Sequence, residues 1–222
     1  STPTYNAGSP IATGSMNGLT ITKPLKIKGA GADKVTIMPD SGVVGESLAG
    51  VTPYLRDAGG NVITISRQSL GSTDTNEMFV DISGVKVVSG GVYAEAGIAF
   101  SNSAGRVSNS IVGPLERATS AADLAARPHG WGIIKTNSNL GDGPGTVENE
   151  VTVANSVVTG YQSGGIFIDG ARGTDGSADN AVRSGIITKG YVKNTVVAGK
   201  SSSLIPQTGV KFAGGAQGFI TA

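Results

Sequence analysis

The chain has no cysteine, one histidine and one tryptophan in 222 residues. Without cysteine there is no disulfide scaffold, no thiolate-ligated metal and no thiol nucleophile. Aromatic residues make up 5% and charged residues 15%, with a formal net charge of +1. That balance offers no clustered basic surface of the kind nucleic acid requires, so nucleic acid is not an expected partner. No run of 18 apolar residues occurs, which argues against a membrane-spanning helix. The opening "STPTYNAGSP" shows no signal-peptide pattern, as in a mature secreted chain or a cytosolic one. Low charge, abundant small polar residues and short β-rich runs favour an extracellular or cell-surface location.

Glycine, by contrast, is abundant at 35 residues, and it recurs in a pattern. A glycine followed by Ile or Val opens GIAF at 97–100, GIIK at 132–135, GIFI at 165–168 and GVKF at 209–212. A second pattern accompanies the first. It reads VSNSIVG at 107–113, VANSVVTG at 153–160 and VKNTVVAG at 192–199, with a weaker copy, ISGVKVVSG, at 82–90. The first pattern recurs at intervals of 35, 33 and 44 residues, yet the order of the two never changes. Fixed strand segments joined by loops of free length produce such a record.

Each segment is short, rich in Val and Ile, and bounded by Gly, Asn or Ser, which are strand and turn signals. The expected fold is all-β: a parallel β-helix of about six coils, read as a single domain over 1–222. Residues 1–17 form an N-terminal extension or edge-covering segment, and 18–222 the coils. The first coil is "GLTITKPLKIKGAGADKVTI" at 18–37, and "GNVITIS" at 60–66 opens the second. One short helix is expected in a loop near 119–127, with Ser120 as N-cap and Pro128 as the stop. A β-sandwich is the competing fold, but its strands usually alternate apolar and polar because one face is wet.

In the coil reading, Asn109, Asn155 and Asn194, with Gly84, share one corner, because a sharp corner wants a residue that tolerates left-handed backbone angles. Stacked asparagines can also hydrogen-bond along the column. Ile82, Val107, Val153, Val192 and Phe219 are expected to form one inward stack, with Thr221 level with Asn109.

The stretch "KPLKIKGAGADKVTI", 23–37, resembles the first coil of the right-handed parallel β-helix proteins of the pectate-lyase-like superfamily. The Asn-corner repeats carry the resemblance through residue 199. It implies a right-handed solenoid. It does not choose among lyases, glycoside hydrolases, esterases, epimerases, tailspikes, adhesins and passive structural proteins, since fold does not imply function. The superfamily's catalytic residues do not carry over. "ARPHGWG", 126–132, sets Arg127 before Pro128 but lacks the second arginine of the lyase pattern. The same stretch has arginine where the epimerase-like pattern has a carboxylate, and there is no Asp-Asp pair of the polygalacturonase type.

Candidate carbohydrate-binding residues are His129, Trp131, Tyr161 and Arg172. The rings would be stacking platforms and His129 a general acid or base, against the plainer reading of a loop histidine beside a ring that covers the coil wall. Asp169, Asp175 and Asp179, in "DGARGTDGSADN", are the candidate metal ligands, for Ca²⁺ if any ion, although Asp and Gly are also ordinary turn formers. Asp142, Glu148 and Glu150, one coil earlier, would extend that acidic patch. "GAGAD" opens no helix, so it gives no phosphate-binding signal.

The expected function is therefore a noncatalytic extracellular module with a surface or structural role, assembling end to end through uncapped coil ends. Its partners would be other copies of itself or adjacent coils of a longer chain, with no cofactor. The alternatives are a polysaccharide-active enzyme of lyase or glycoside hydrolase type, and a carbohydrate-binding module.

Overall fold

The computed structural model describes residues 18–39, 60–66, 78–90, 94–115, 130–138, 150–172, 188–201 and 205–222. They form 17 strands, numbered here in chain order, and no helix. The expected helix near 119–127 and the extension 1–17 lie outside the described residues.

The strands fall into three sheets, all parallel. Sheet A stacks β1 (Leu19–Ile21), β4 (Ile63–Ser66), β7 (Ala96–Ser101), β10 (Trp131–Ser138), β13 (Gly164–Arg172) and β16 (Thr208–Ala213). Sheet B stacks β2 (Leu25–Lys28), β5 (Phe79–Ser83), β8 (Ala104–Ser108), β11 (Glu150–Ala154), β14 (Lys189–Lys193) and β17 (Gln217–Thr221). Sheet C stacks β3 (Thr36–Ile37), β6 (Lys86–Val87), β9 (Ile111–Val112), β12 (Val157–Thr159) and β15 (Val196–Ala198). The chain visits A, B and C in turn and then returns to A one strand further along. This is consistent with a parallel β-helix-like solenoid, and one such passage is called a coil below.

The four Gly-[IV] segments are neighbours in sheet A, with Ile98, Ile133, Ile166 and Val210 in register. Their glycines share a level for a steric reason. A Cβ at Gly97 would lie 2.7 Å from Val112 Cγ1, and those at Gly132 and Gly165 would strike Val158 Cγ1 and Val197 Cγ1. The valine column of sheet C therefore occupies the volume that side chains there would need. The same exchange links A to B. Gly105 leaves room for the Phe100 ring, and Gly190 and Gly218 for the Phe212 ring.

The corner between B and C is built as its sequence suggests. Asn109, Asn155 and Asn194 have φ of 49°, 48° and 44°, and Gly84 has 66°. The amide Nδ2 of Asn194 donates to Asn155 Oδ1 at 3.3 Å, one rung of a ladder on the exposed side of the corner. The next residue is a hydroxyl that bonds back two positions. Ser110, Ser156 and Thr195 donate to the carbonyls of Ser108, Ala154 and Lys193 at 2.8, 2.7 and 2.8 Å. The Ser110 and Ser156 oxygens also accept the N–H of Val85 and Ser110 from the preceding coils. The Asn-[ST] pair thus satisfies a backbone bend that no strand ladder can reach.

The core runs along the axis as columns. One is Ile27, Ile82, Val107, Val153, Val192 and Ile220. This corrects the sequence expectation at its last member. Ile220, not Phe219, continues the column, and Thr221 is level with Lys193 rather than with an asparagine. Phe219 instead points outward and stacks on Tyr191, with centroids 4.9 Å apart and planes 12° apart. A shift of one residue exchanges the two faces of a strand, so both expectations fail together.

Candidate functional site

Of the sequence-derived site residues, Trp131 lies in an apolar cluster on the outer side of sheet A and Tyr161 in the core. The outer side of sheet A carries a second apolar cluster of Ala96, Ala99, Trp131, Ile134 and Phe167, with Ala213 against it. Gly164 clears space for the Trp131 ring, which leans on Phe167 at 5.1 Å with planes 30° apart. Lys211 Nζ lies 5.2 Å from the Phe167 centroid. Trp131 is only 6% exposed, and its Nε1–H has no hydrogen-bond partner among the described residues. Tyr161 is 3% exposed and packs beside Gly165 and Gly199, and burial raises its phenol above the ordinary range. Gln207 Nε2 donates to its carbonyl at 2.6 Å. Both rings are thus packing elements as folded, with little ring area open to a sugar.

The other candidates are dispersed. His129, Asp175 and Asp179 lie outside the described residues, as do Asp142 and Glu148. Arg172 ends β13, its backbone in register with Ser138. Asp169 is buried at 3% exposure, level with Ala213. Its Oδ1 fills the space of a side chain at Gly214, which has φ of 59°. Glu150 opens β11, opposite Lys189. Among the described residues no three His, Cys, Asp or Glu side chains form a group that could hold a metal.

Two features escaped the sequence reading. Lys135 is fully buried. It is in register with Phe100 and Ile168, and alternation with the outward Ile134 turns it to the core side. It also takes part in a polar or electrostatic interaction. Its place in "GIIK", where GIAF has Phe and GIFI has Ile, was the available signal.

The second is a polar and aromatic column on the outer side of sheet B: Lys26, Asp81, Arg106, Thr152, Tyr191 and Phe219. Arg106 grips Asp81 through both ends of its guanidinium, Nε to Oδ1 at 3.2 Å and Nη2 to Oδ2 at 2.7 Å. That hydrogen bonding, and then the carboxylate's charge, raises the Arg106 pKa above its ordinary value. Lys26 Nζ approaches the same carboxylate at 3.8 Å, and Lys193 Nζ sits 4.9 Å from the Tyr191 centroid. Taking the middle residue of each sheet B strand in turn would have exposed the column. Chemically it is a run of ion pairs and stacked rings along one wall.

Comparison of the chain with family models, with curated proteins and with solved structures finds no match.

Proposed function

We propose that this chain is a right-handed parallel β-helix of the pectate-lyase-like type, one domain serving as a noncatalytic extracellular or cell-surface structural module joined to its neighbours through the ends of its coil stack. The observation that carries this reading is the state of Ile220. It continues a core column whose members Ile82, Val107 and Val153 are 0 to 1% exposed, yet it is itself 63% exposed. At Ile82, Val107, Val153 and Val192 the strand that follows covers this level, and a parallel strand from a second copy or from further coils of a longer chain would cover Ile220 in the same way. The apolar residues only partly buried against the core support this too. They are Ile27, Val35 and Ile37 in the first coil, Val197 in the fifth, and Val210, Phe212 and Ala216 in the sixth.

Light scattering over a concentration series tests the reading: mass should rise with concentration. A strictly monomeric species at high concentration would overturn it. Release of new reducing ends from a polysaccharide by the purified chain would replace it with the enzyme reading.

A further inference from the structure

Independently of what covers the coil ends, we infer that the outer wall of sheet B docks an extended acidic polysaccharide, laid along the solenoid axis beside the asparagine corner. None of the sugar-binding candidates read from the sequence belongs to this strip.

The charge of the wall calls for an anion. Alternation about the core column turns Lys26, Lys28, Arg106, Lys189 and Lys193 outward, together with Asp81 and Glu150. The whole chain has 17 Lys and Arg against 16 Asp and Glu. Five cations against two anions leave this wall at +3, and twelve against fourteen leave the rest of the chain at −2. Such segregation directs a polyanion to one face. Both wall anions already face a cation. Arg106 grips Asp81 through two hydrogen bonds, and Glu150 stands in register with Lys189. Lys26 approaches Asp81 only at 3.8 Å, and Lys28 and Lys193 are exposed.

The spacing calls for a polymer. Lys28, Ser83, Ser108, Ala154 and Lys193 form one column, small in the middle and cationic at both ends. Its end members stand four strand spacings apart, about 19 Å. A small anion reaches one of them, whereas a chain running along the axis reaches both.

The borders of the column call for sugars. On one side lie Arg106, Thr152 and Tyr191, and on the other the exposed carboxamides of Asn109, Asn155 and Asn194. A carboxamide both donates and accepts, which matches the hydroxyl groups of a glycan. No ring lies in the Lys28–Lys193 column itself, so the bases of a single-stranded nucleic acid find nothing on it to stack on.

Titration of the purified chain with hyaluronate, a carboxylated glycan, tests the inference. Binding is expected at low salt and should weaken as salt rises. The double change Lys28→Ala and Lys193→Ala should lower the affinity about tenfold or more, with the fold checked by its melting curve. Lys86→Ala, on the wall of sheet C, should leave binding unchanged. Asn155→Gly removes one carboxamide and keeps the residue type that Gly84 uses at the same corner, so it should weaken hyaluronate binding severalfold. Absence of binding at low salt would overturn the inference, as would an equal loss from Lys86→Ala. Equal or tighter binding of poly-dT would also overturn it, by making the wall a general polyanion or nucleic-acid surface. Light scattering reports separately on the coil ends, so a strictly monomeric chain that binds hyaluronate would sink the end-to-end reading and leave this one standing.

Discussion

The fourth coil and the sixth are written in the same pattern and end in different states. Gly132 and Gly209 open equivalent strands on one level of sheet A. A side chain at Gly132 would meet the Gly165 carbonyl at 2.5 Å and strike Val158 Cγ1, whereas one at Gly209 would find nothing nearer than 3.9 Å. Val153 and Ile220 share a core column, one sealed and one open. The pattern therefore encodes a level in a stack, and burial arrives only with the coil that follows. Repeat architectures behave this way because each unit completes its neighbour.

The comparison can be broken first in the column. Ile82→Ala should cost about 2–5 kcal/mol, as for other fully buried isoleucines, and Ile220→Ala in the dilute chain less than about 1. Denaturant titration of both variants checks this, and equal losses would erase the distinction between middle and end. Next comes the glycine level. Gly132→Ala should destabilise by about 1–3 kcal/mol through overpacking. Gly209→Ala should be neutral or slightly stabilising, by about 0.4–1 kcal/mol, through reduced freedom of the unfolded chain. Their melting temperatures should move in opposite directions or differ by several degrees.

The corner gives a third contrast. Asn155→Val places a β-branched residue at φ of 48° and should cost about 1–3 kcal/mol. Asn155→Gly should be milder, because Gly84 holds the same corner two coils earlier. A Tm for the valine variant equal to that of the native chain would mean the corner backbone is not restrictive. The smallest effect is expected on the wall of sheet B. The Arg106 side chain is 48% exposed, so Arg106→Ala should cost no more than about 1 kcal/mol and should depend on salt.

Strand order, the glycine level and the asparagine corner were legible in the sequence because each is dictated by backbone constraints: a missing Cβ or a positive φ leaves a residue-type signature. The end of the last sheet B strand was not. Alignment of "KGYVK" with "QGFIT" on their glycines gives the observed register, but the apolar character of Phe219 pointed inward. A ring stacked on Tyr191 at the surface leaves no mark in one strand alone. The site residues were harder still. Trp131 and Tyr161 look like ligand platforms when read as isolated aromatics. Trp131 is covered by Phe167 and by the space at Gly164, both in the next coil, while Tyr161 packs beside Gly165 and the distant Gly199. The Arg106–Asp81 pair spans 25 residues and emerges only once the register is known.

Lys135 has a consequence for how such a chain avoids misassembly. Its column runs Ile21, Ile65, Phe100, Lys135, Ile168, Phe212, so five of six levels are interchangeable apolar residues. A solenoid of near-identical layers is exposed to mis-threading, in which a strand pairs one layer early or late and still buries oil against oil. A lysine at a single level makes the layers distinguishable, because a shifted pairing separates its buried nitrogen from the interaction it makes in the correct layer. Burying a polar group without a partner is costly, whereas exchanging one aliphatic residue for another at the same level is cheap. Lys135 is thus the one odd layer in that column, the level at which a correct threading and a shifted one differ most in chemistry.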